Sequence, residues 1–272
     1  MHEQPAVGLL KQDVAATLGA AHVAAVDARA RLLLPFADWP QDAYAAKLID
    51  GVQQELHYSF VDTTWPHCPS HPHHPMWFEG GVWRCGTTGS AVAALGDLDV
   101  VIFNDALEGL RRGDFDRLEP LFRDRQGEPC LLLQWREEGR FADHPAELAE
   151  ALSNACFLGR DAVVRALVAA GVEVTAGTGC GMDGLHWAAN RGKLDTVRLL
   201  ISLGAPLETV NMHGTTVLGT AVWSAVNEPW WGPAQLEIIK VLLDAGARVE
   251  AADYPSGRAD VDELLRGRSS EL

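Results

Sequence analysis

Along most of the chain, apolar residues recur at helical spacing. The clearest case is Asp183–Gly204, which reads as two short helices. The first, Leu185–Asn190, breaks at Arg191-Gly192; the second, Leu194–Ser202, stops at Gly204. Val197, Leu200 and Ile201 give the second helix one apolar face, and Gly204 stands where a left-handed cap is expected. Neither helix is long enough to be stable alone, so each must pack on a neighbour. Residues 1–57 also read as helical. Asp13–Arg31, rich in Ala and Leu, is predicted as one helix with Pro35 closing it. A second begins near Pro40-Gln41-Asp42 and buries Tyr44, Leu48, Val52 and Leu56, which recur every four residues. At the far end, Val261, Leu264 and Leu265 sit in a charged frame that suits a short capping helix. Between the helical regions the pattern changes. Tyr58–Val61 and Asp97–Phe103 read as strands, and Met76–Glu79 and Val82–Cys85 flank Gly80-Gly81, a two-residue hairpin turn.

The helix pair repeats. Gly171 lies 33 residues before Gly204, Gly159 lies 33 before Gly192, and Leu152, Leu185 and Leu218 keep the same interval. A fixed period with a helix–turn–helix in each unit marks a repeat array. The residues resemble the ankyrin family. Its Thr-Pro-Leu-His-x-Ala motif stands as Asp183-Gly184-Leu185-His186-Trp187-Ala188, with Thr and Pro replaced. Its Leu-Leu-x-x-Gly-Ala-x-Leu stop stands as Leu200-Ile201-Ser202-Leu203-Gly204-Ala205-Pro206-Leu207. The next unit keeps Gly214–Leu218 and Val241–Ala247, but Gly219 replaces the motif histidine. The resemblance covers roughly residues 147–251.

Residues 104–125 read as a degenerate first unit. Ala106, Leu107 and Leu110 belong to its first helix, Arg112-Gly113-Asp114 to its turn, and Phe115, Leu118, Leu121 and Phe122 face inward from its second. Gly113 to Gly159 spans 46 residues, so an insertion of 13 follows; Cys130–Trp135 and Arg140–Phe141 around Glu138-Gly139 read as a hairpin. Gly204 to Gly246 spans 42, which adds nine residues around Val226–Pro233. The fold class expected is mostly α: an ankyrin-type α-solenoid over 104–272, behind an N-terminal helical plus small β-hairpin domain over 1–103.

The resemblance implies a protein-binding module without bond chemistry. In the ankyrin fold the first helices and the fingers line a concave groove. That register assigns to the groove Asn154 and Phe157, then Trp187 and Asn190, then Thr220 and Trp223, with Thr178, Cys180, Asn211 and His213 at its edge. Phe157, Trp187 and Trp223 would form an aromatic ladder, and aromatics with a polar fringe are typical anchors. Trp230 and Trp231, in the insertion, are too large for a short loop to bury and would meet a partner or cover a neighbouring repeat. His186 takes the motif position that bonds backbone between repeats. A Cys180–His186 nucleophilic pair is the weaker reading of the glycine-rich finger 177–181.

Composition narrows the partner. The chain has 272 residues, 47% of them hydrophobic, and a net charge of −15. That is enough for a real core in one or two domains. The acidic surface argues against nucleic acid and anionic membrane and favours a basic protein partner. The start, Met-His-Glu-Gln-Pro, lacks the features of a signal peptide, and no apolar run reaches membrane-span length. Five scattered cysteines make no disulfide framework and suit a reducing cytoplasm.

One segment carries metal-ligating residues. Cys68-x-x-His71, then a hairpin and Cys85, resembles half of a zinc ribbon. In the second knuckle, Cys85-Gly86-Thr87-Thr88, Thr88 stands where a ligand should. The fourth donor would come from His67, His73 or His74, and Cys68, His71, His74 and Cys85 form the candidate set for structural zinc; no other cofactor is expected. The competing reading is a His/Pro-rich loop pinned by Trp65, Trp77 and Trp83. Two other function classes follow: a metal-binding enzyme or sensor using this segment, and an inhibitor or immunity-type protein that masks a basic partner.

Overall fold

The computed structural model describes residues 4–125, 127–228, 233–250 and 254–269. The chain forms two compact units, one from residues 1–107 with 124–129, the other from 108–123 with 130–272.

In the first unit, α1 (Pro5–Leu18), α2 (Val23–Leu32) and α3 (Gln41–Tyr58) pack on one another beside a four-stranded antiparallel sheet. Its strands are β1 (His67–Cys68), β2 (His71–Glu79), β3 (Val82–Cys85) and β4 (Ala91–Ala94), in that spatial order. The Gly80-Gly81 hairpin forms as expected, with Glu79 opposite Val82 and both glycines at positive φ. Tyr44, Leu48, Val52 and Leu56 are buried in a core with Leu10, Val14, Trp65, Met76 and Trp83.

Three sequence expectations fail in this unit. Asp13–Arg31 is not one helix: Gly19, at φ 100°, ends α1, and Arg125 donates to the carbonyls of Ala15 and Ala16. Tyr58–Val61 is not a strand. α3 runs through Tyr58, and Phe60 turns with φ 55° and stays exposed. Asp97–Phe103 is the start of a helix, α4 (Leu98–Arg112). The apolar run is β-rich locally, but Leu98, Phe103, Ala106, Leu107 and Leu110 bury one helical face across the whole segment.

The second unit holds α5 (Leu131–Glu137), α6 (Pro145–Leu158), α7 (Asp161–Ala169), α8 (Gly184–Asn190), α9 (Leu194–Ser202), α10 (Val217–Asn227), α11 (Pro233–Asp244) and α12 (Ala259–Ser269). α6 packs on α8 and α8 on α10, while α9 packs between α7 and α11. The stop glycines carry this repetition. Gly113, Gly159 and Gly192 follow first helices at φ 73°, 73° and 67°; Gly171, Gly204 and Gly246 follow second helices at 93°, 81° and 100°. Val261 and Leu265 of α12 are buried, as a capping helix requires.

Two details differ from the sequence reading. Phe115, Leu118, Leu121 and Phe122 are buried, but a single 3-10 turn, Glu119–Phe122, replaces the expected second α-helix there. Leu131–Glu137 form α5, followed by a turn, rather than a hairpin, because Leu131, Leu132 and Trp135 share a helical face instead of alternating.

Candidate functional site

The node between successive repeats is built on Asp183. Its side chain caps α8 by accepting from the His186 backbone N–H at 3.0 Å. It also meets His186 Nδ1 at 2.8 Å and accepts from Thr209 Oγ1 at 3.1 Å. The other ring nitrogen, Nε2, lies 3.3 Å from the carbonyl of Thr215 in the next finger. Burial alone would raise the Asp183 carboxyl; the His186 ring and N–H, with Thr209, hold it below its ordinary value. Asp183 thus replaces the motif threonine with a stronger acceptor. The following unit returns to threonine: Thr216 caps α10 through the N–H of Gly219.

With both ring nitrogens engaged, His186 has no role as a base for Cys180. The Cys180 thiol is itself pushed up to about 11 by burial and by the charge of Glu150. That is the opposite of an activated nucleophile. Cys156 is fully buried and also raised, an inert core thiol.

A second arrangement lies in the first unit. The β1–β2 turn puts Cys68 opposite His71, and pairing of Met76 with Cys85 brings the end of β3 alongside. His71 Nδ1 lies 3.2 Å from Cys85 Sγ and 3.8 Å from Cys68 Sγ, and the three ligand atoms lie within 4.8 Å of one another. Cys85 Sγ accepts the Thr87 backbone N–H at 3.4 Å. The Thr88 hydroxyl and N–H lower the Cys85 thiol to about 6, whereas burial and then Cys85 itself raise Cys68. Gly86 is required here, since a Cβ would stand 2.4 Å from the Pro75 carbonyl.

Among the expected ligands, His74 is exposed and lies outside this cluster. His67 is occupied by Asp62, at 2.8 Å, and by Thr64. Of the three tryptophans expected to pin the loop, Trp65 and Trp83 are buried edge-to-face 5.6 Å apart, while Trp77 is exposed.

Residues 151–253 match the family model for ankyrin repeats, in three copies. This stretch of the chain belongs to the ankyrin-repeat family. A human relative, Ankyrin repeat and SOCS box protein 16, is 30% identical over 153 residues, an alignment that takes in 53% of this chain. The chain covers 32% of that relative's length.

The ankyrin repeats distribute the expected contact residues unevenly. Phe157 is only 7% exposed. It sits edge-on to Trp187 at 5.4 Å and to Phe115 at 5.5 Å, with the Arg191 guanidinium 4.3 Å above its ring. Phe115 and Trp187 are likewise 5.5 Å apart, so two of the three ladder aromatics close a triangle inside the unit instead of lining a groove. The ladder is corrected to that extent, because the degenerate first unit needs aromatic volume to fill its missing helix.

The polar residues divide in the same way. Asn154 is wholly buried, and its amide finds no hydrogen-bond partner among the described residues. Asn190 donates to Ser224 at 2.9 Å, and Thr220 is buried, accepting from Asn211 at 3.1 Å. Asn211 also accepts from His213 and Thr215, so it shapes its own finger. His213 is exposed, and Trp223 is 54% exposed on α10. Trp230 and Trp231 lie outside the described residues.

Sequence reasoning missed Val210, Met212 and Val226, which are also exposed. Val226 follows Trp223 at i+3, a signal that was readable. Met212 was not: its N–H bonds the Gly181 carbonyl of the preceding finger, and the bare Gly181 backbone gives its side chain room.

Proposed function

We propose that this chain is a protein-interaction module whose ankyrin solenoid grips a partner through α10 and the finger before it, with Trp223 as the anchor. The observation that carries this reading is the exposure of Trp223. α10 already buries Val217, Leu218, Ala221, Val222 and Ala225, so its packing does not need the indole. Val226 lies one turn on, and Val210 and Met212 stand exposed on the preceding finger. An exposed tryptophan suits an interface hot spot, and the apolar side chains around it suit the contacts that exclude water from it. Trp230 and Trp231 follow Val226 within five residues in the sequence.

The partner is a protein with a basic contact surface, as the net charge of −15 favours, met in a reducing cytoplasm that suits the free cysteines. No described helix is long and apolar enough to cross a membrane. Binding proceeds by shape and hot-spot complementarity, without bond chemistry. The test is a photo-crosslinking residue at position 223, with the exposed Arg165 of α7 as control. One dominant basic adduct from 223 alone, weakened by raised salt, supports the reading; equal labelling from both positions contradicts it.

A further inference from the structure

The first unit carries a site that the repeat function does not use. Among the described residues, Cys68, His71 and Cys85 are the one group of three that gathers metal-ligating atoms. Three features set it apart from a chance cluster. Its ligands come from two separate knuckles, the β1–β2 turn and the end of β3, brought together by strand pairing and not by sequence proximity. The backbone N–H of Thr87, two places on from Cys85, donates to its sulfur at 3.4 Å, as a backbone donor does in a metal knuckle. Neither cysteine is tied up in a disulfide.

We propose that Cys68 Sγ, His71 Nδ1 and Cys85 Sγ bind one zinc ion, with the fourth position taken by solvent. Two thiolates and an imidazole within 4.8 Å of each other fit a tetrahedral borderline-soft cation, and two thiolates neutralise its charge. Thr88 occupies the fourth place in sequence, but its hydroxyl is engaged with Ser90 Oγ at 2.7 Å. His73 and His74 are exposed on β2, and His67 is held by Asp62. The ion ties β1 and β2 to β3 in a sheet with strands as short as two and four residues. The site stands whether or not Trp223 anchors a partner.

The full chain, purified under reducing conditions without chelator, is the protein to test. Elemental analysis should give one zinc per chain. X-ray absorption at the zinc edge should give two sulfurs, one nitrogen and one light solvent atom. After chelation, cobalt(II) should restore one equivalent with thiolate-to-metal absorption and tetrahedral ligand-field bands. Cys85→Ser and His71→Ala should lose the metal, while His74→Ala and Cys180→Ser keep it. Because Cys85→Ser risks misfolding, the wild-type absorption shell decides the ligand set independently. A reduced chain that takes up neither zinc nor cobalt would overturn the proposal. So would a shell with four protein ligands, retention of zinc by both Cys85→Ser and His71→Ala, or its loss from His74→Ala.

Discussion

Asp13 and Asp183 are both buried carboxylates, one in each unit, and each accepts three hydrogen bonds; yet their acidities move in opposite directions. Asp13 takes the Trp83 indole N–H at 2.7 Å, the Gly96 N–H at 2.9 Å and the Leu98 N–H at 3.0 Å. Burial raises its pKa more than those donors lower it, and neighbouring Asp97 raises it further. No basic side chain pairs with it among the described residues. Asp183 is also penalised by burial, but the His186 ring, with N–H and hydroxyl donors, brings it below the ordinary value. The difference is one of reach. The donors of Asp183 lie 3 and 26 residues away; those of Asp13 lie 70, 83 and 85 away. The repeats are stitched locally and repeatedly. The first unit is held by a few long-range polar contacts that join α1 to β3 and to the start of α4.

Three alanine substitutions probe that contrast. The largest expected cost is Phe157→Ala, which empties the aromatic triangle and should destabilise the repeat unit by roughly 3 to 5 kcal/mol in denaturant unfolding. A cost under about 1 kcal/mol would return Phe157 to the surface. Next is Asp13→Ala, which orphans three buried N–H donors and should cost about 3 kcal/mol. Hydrogen exchange should locate that loss in the first unit, around Leu10 and Leu48, and spare the repeats. Uniform loss across both units would erase the distinction. Asp183→Ala removes a cap and two further bonds and should cost about 2 kcal/mol, confined to the repeats.

The pH dependence sharpens the pair. Asp183 is depressed, so its contribution is complete above its unfolded value, near 3.8, and disappears as pH falls through the lower folded value. Asp183→Asn should therefore flatten the acid limb below pH 4 in a urea midpoint titration. Asp13 is raised, so the folded first unit takes up its proton earlier, and the penalty on its charged form is relieved as pH falls through that raised value. Asp13→Asn should remove that relief, the reverse of the effect at Asp183. The smallest stability effect belongs to Trp223→Ala, within about 0.5 kcal/mol of wild type.

The same contrast explains what was readable in the sequence. The repeats announce themselves because a period of 33 repeats the same stop glycines, caps and apolar faces, each a short-range signal. α8 and α9 fall within a residue of where the pattern puts them. In the first unit, the signals that matter are non-local. Nothing near Asp13 in sequence hints at Trp83 or at the turn before α4, and the break at Gly19 is hidden in an alanine-rich stretch. The apolar run 97–103 satisfies a strand pattern in a short window and a helix only over a longer one. At the candidate sites, Cys68, His71 and Cys85 were legible from knuckle spacing. Phe157 was misread because position on a first helix does not report the degenerate neighbour that consumes its exposed face.

The most direct measurement compares binding and stability in one variant. With the partner identified by crosslinking, Trp223→Arg should weaken its binding at least tenfold while the thermal midpoint stays within about two degrees of wild type. Unchanged affinity, or a lost partner accompanied by a collapsed midpoint, would contradict the claim that this indole is spared by the fold for recognition.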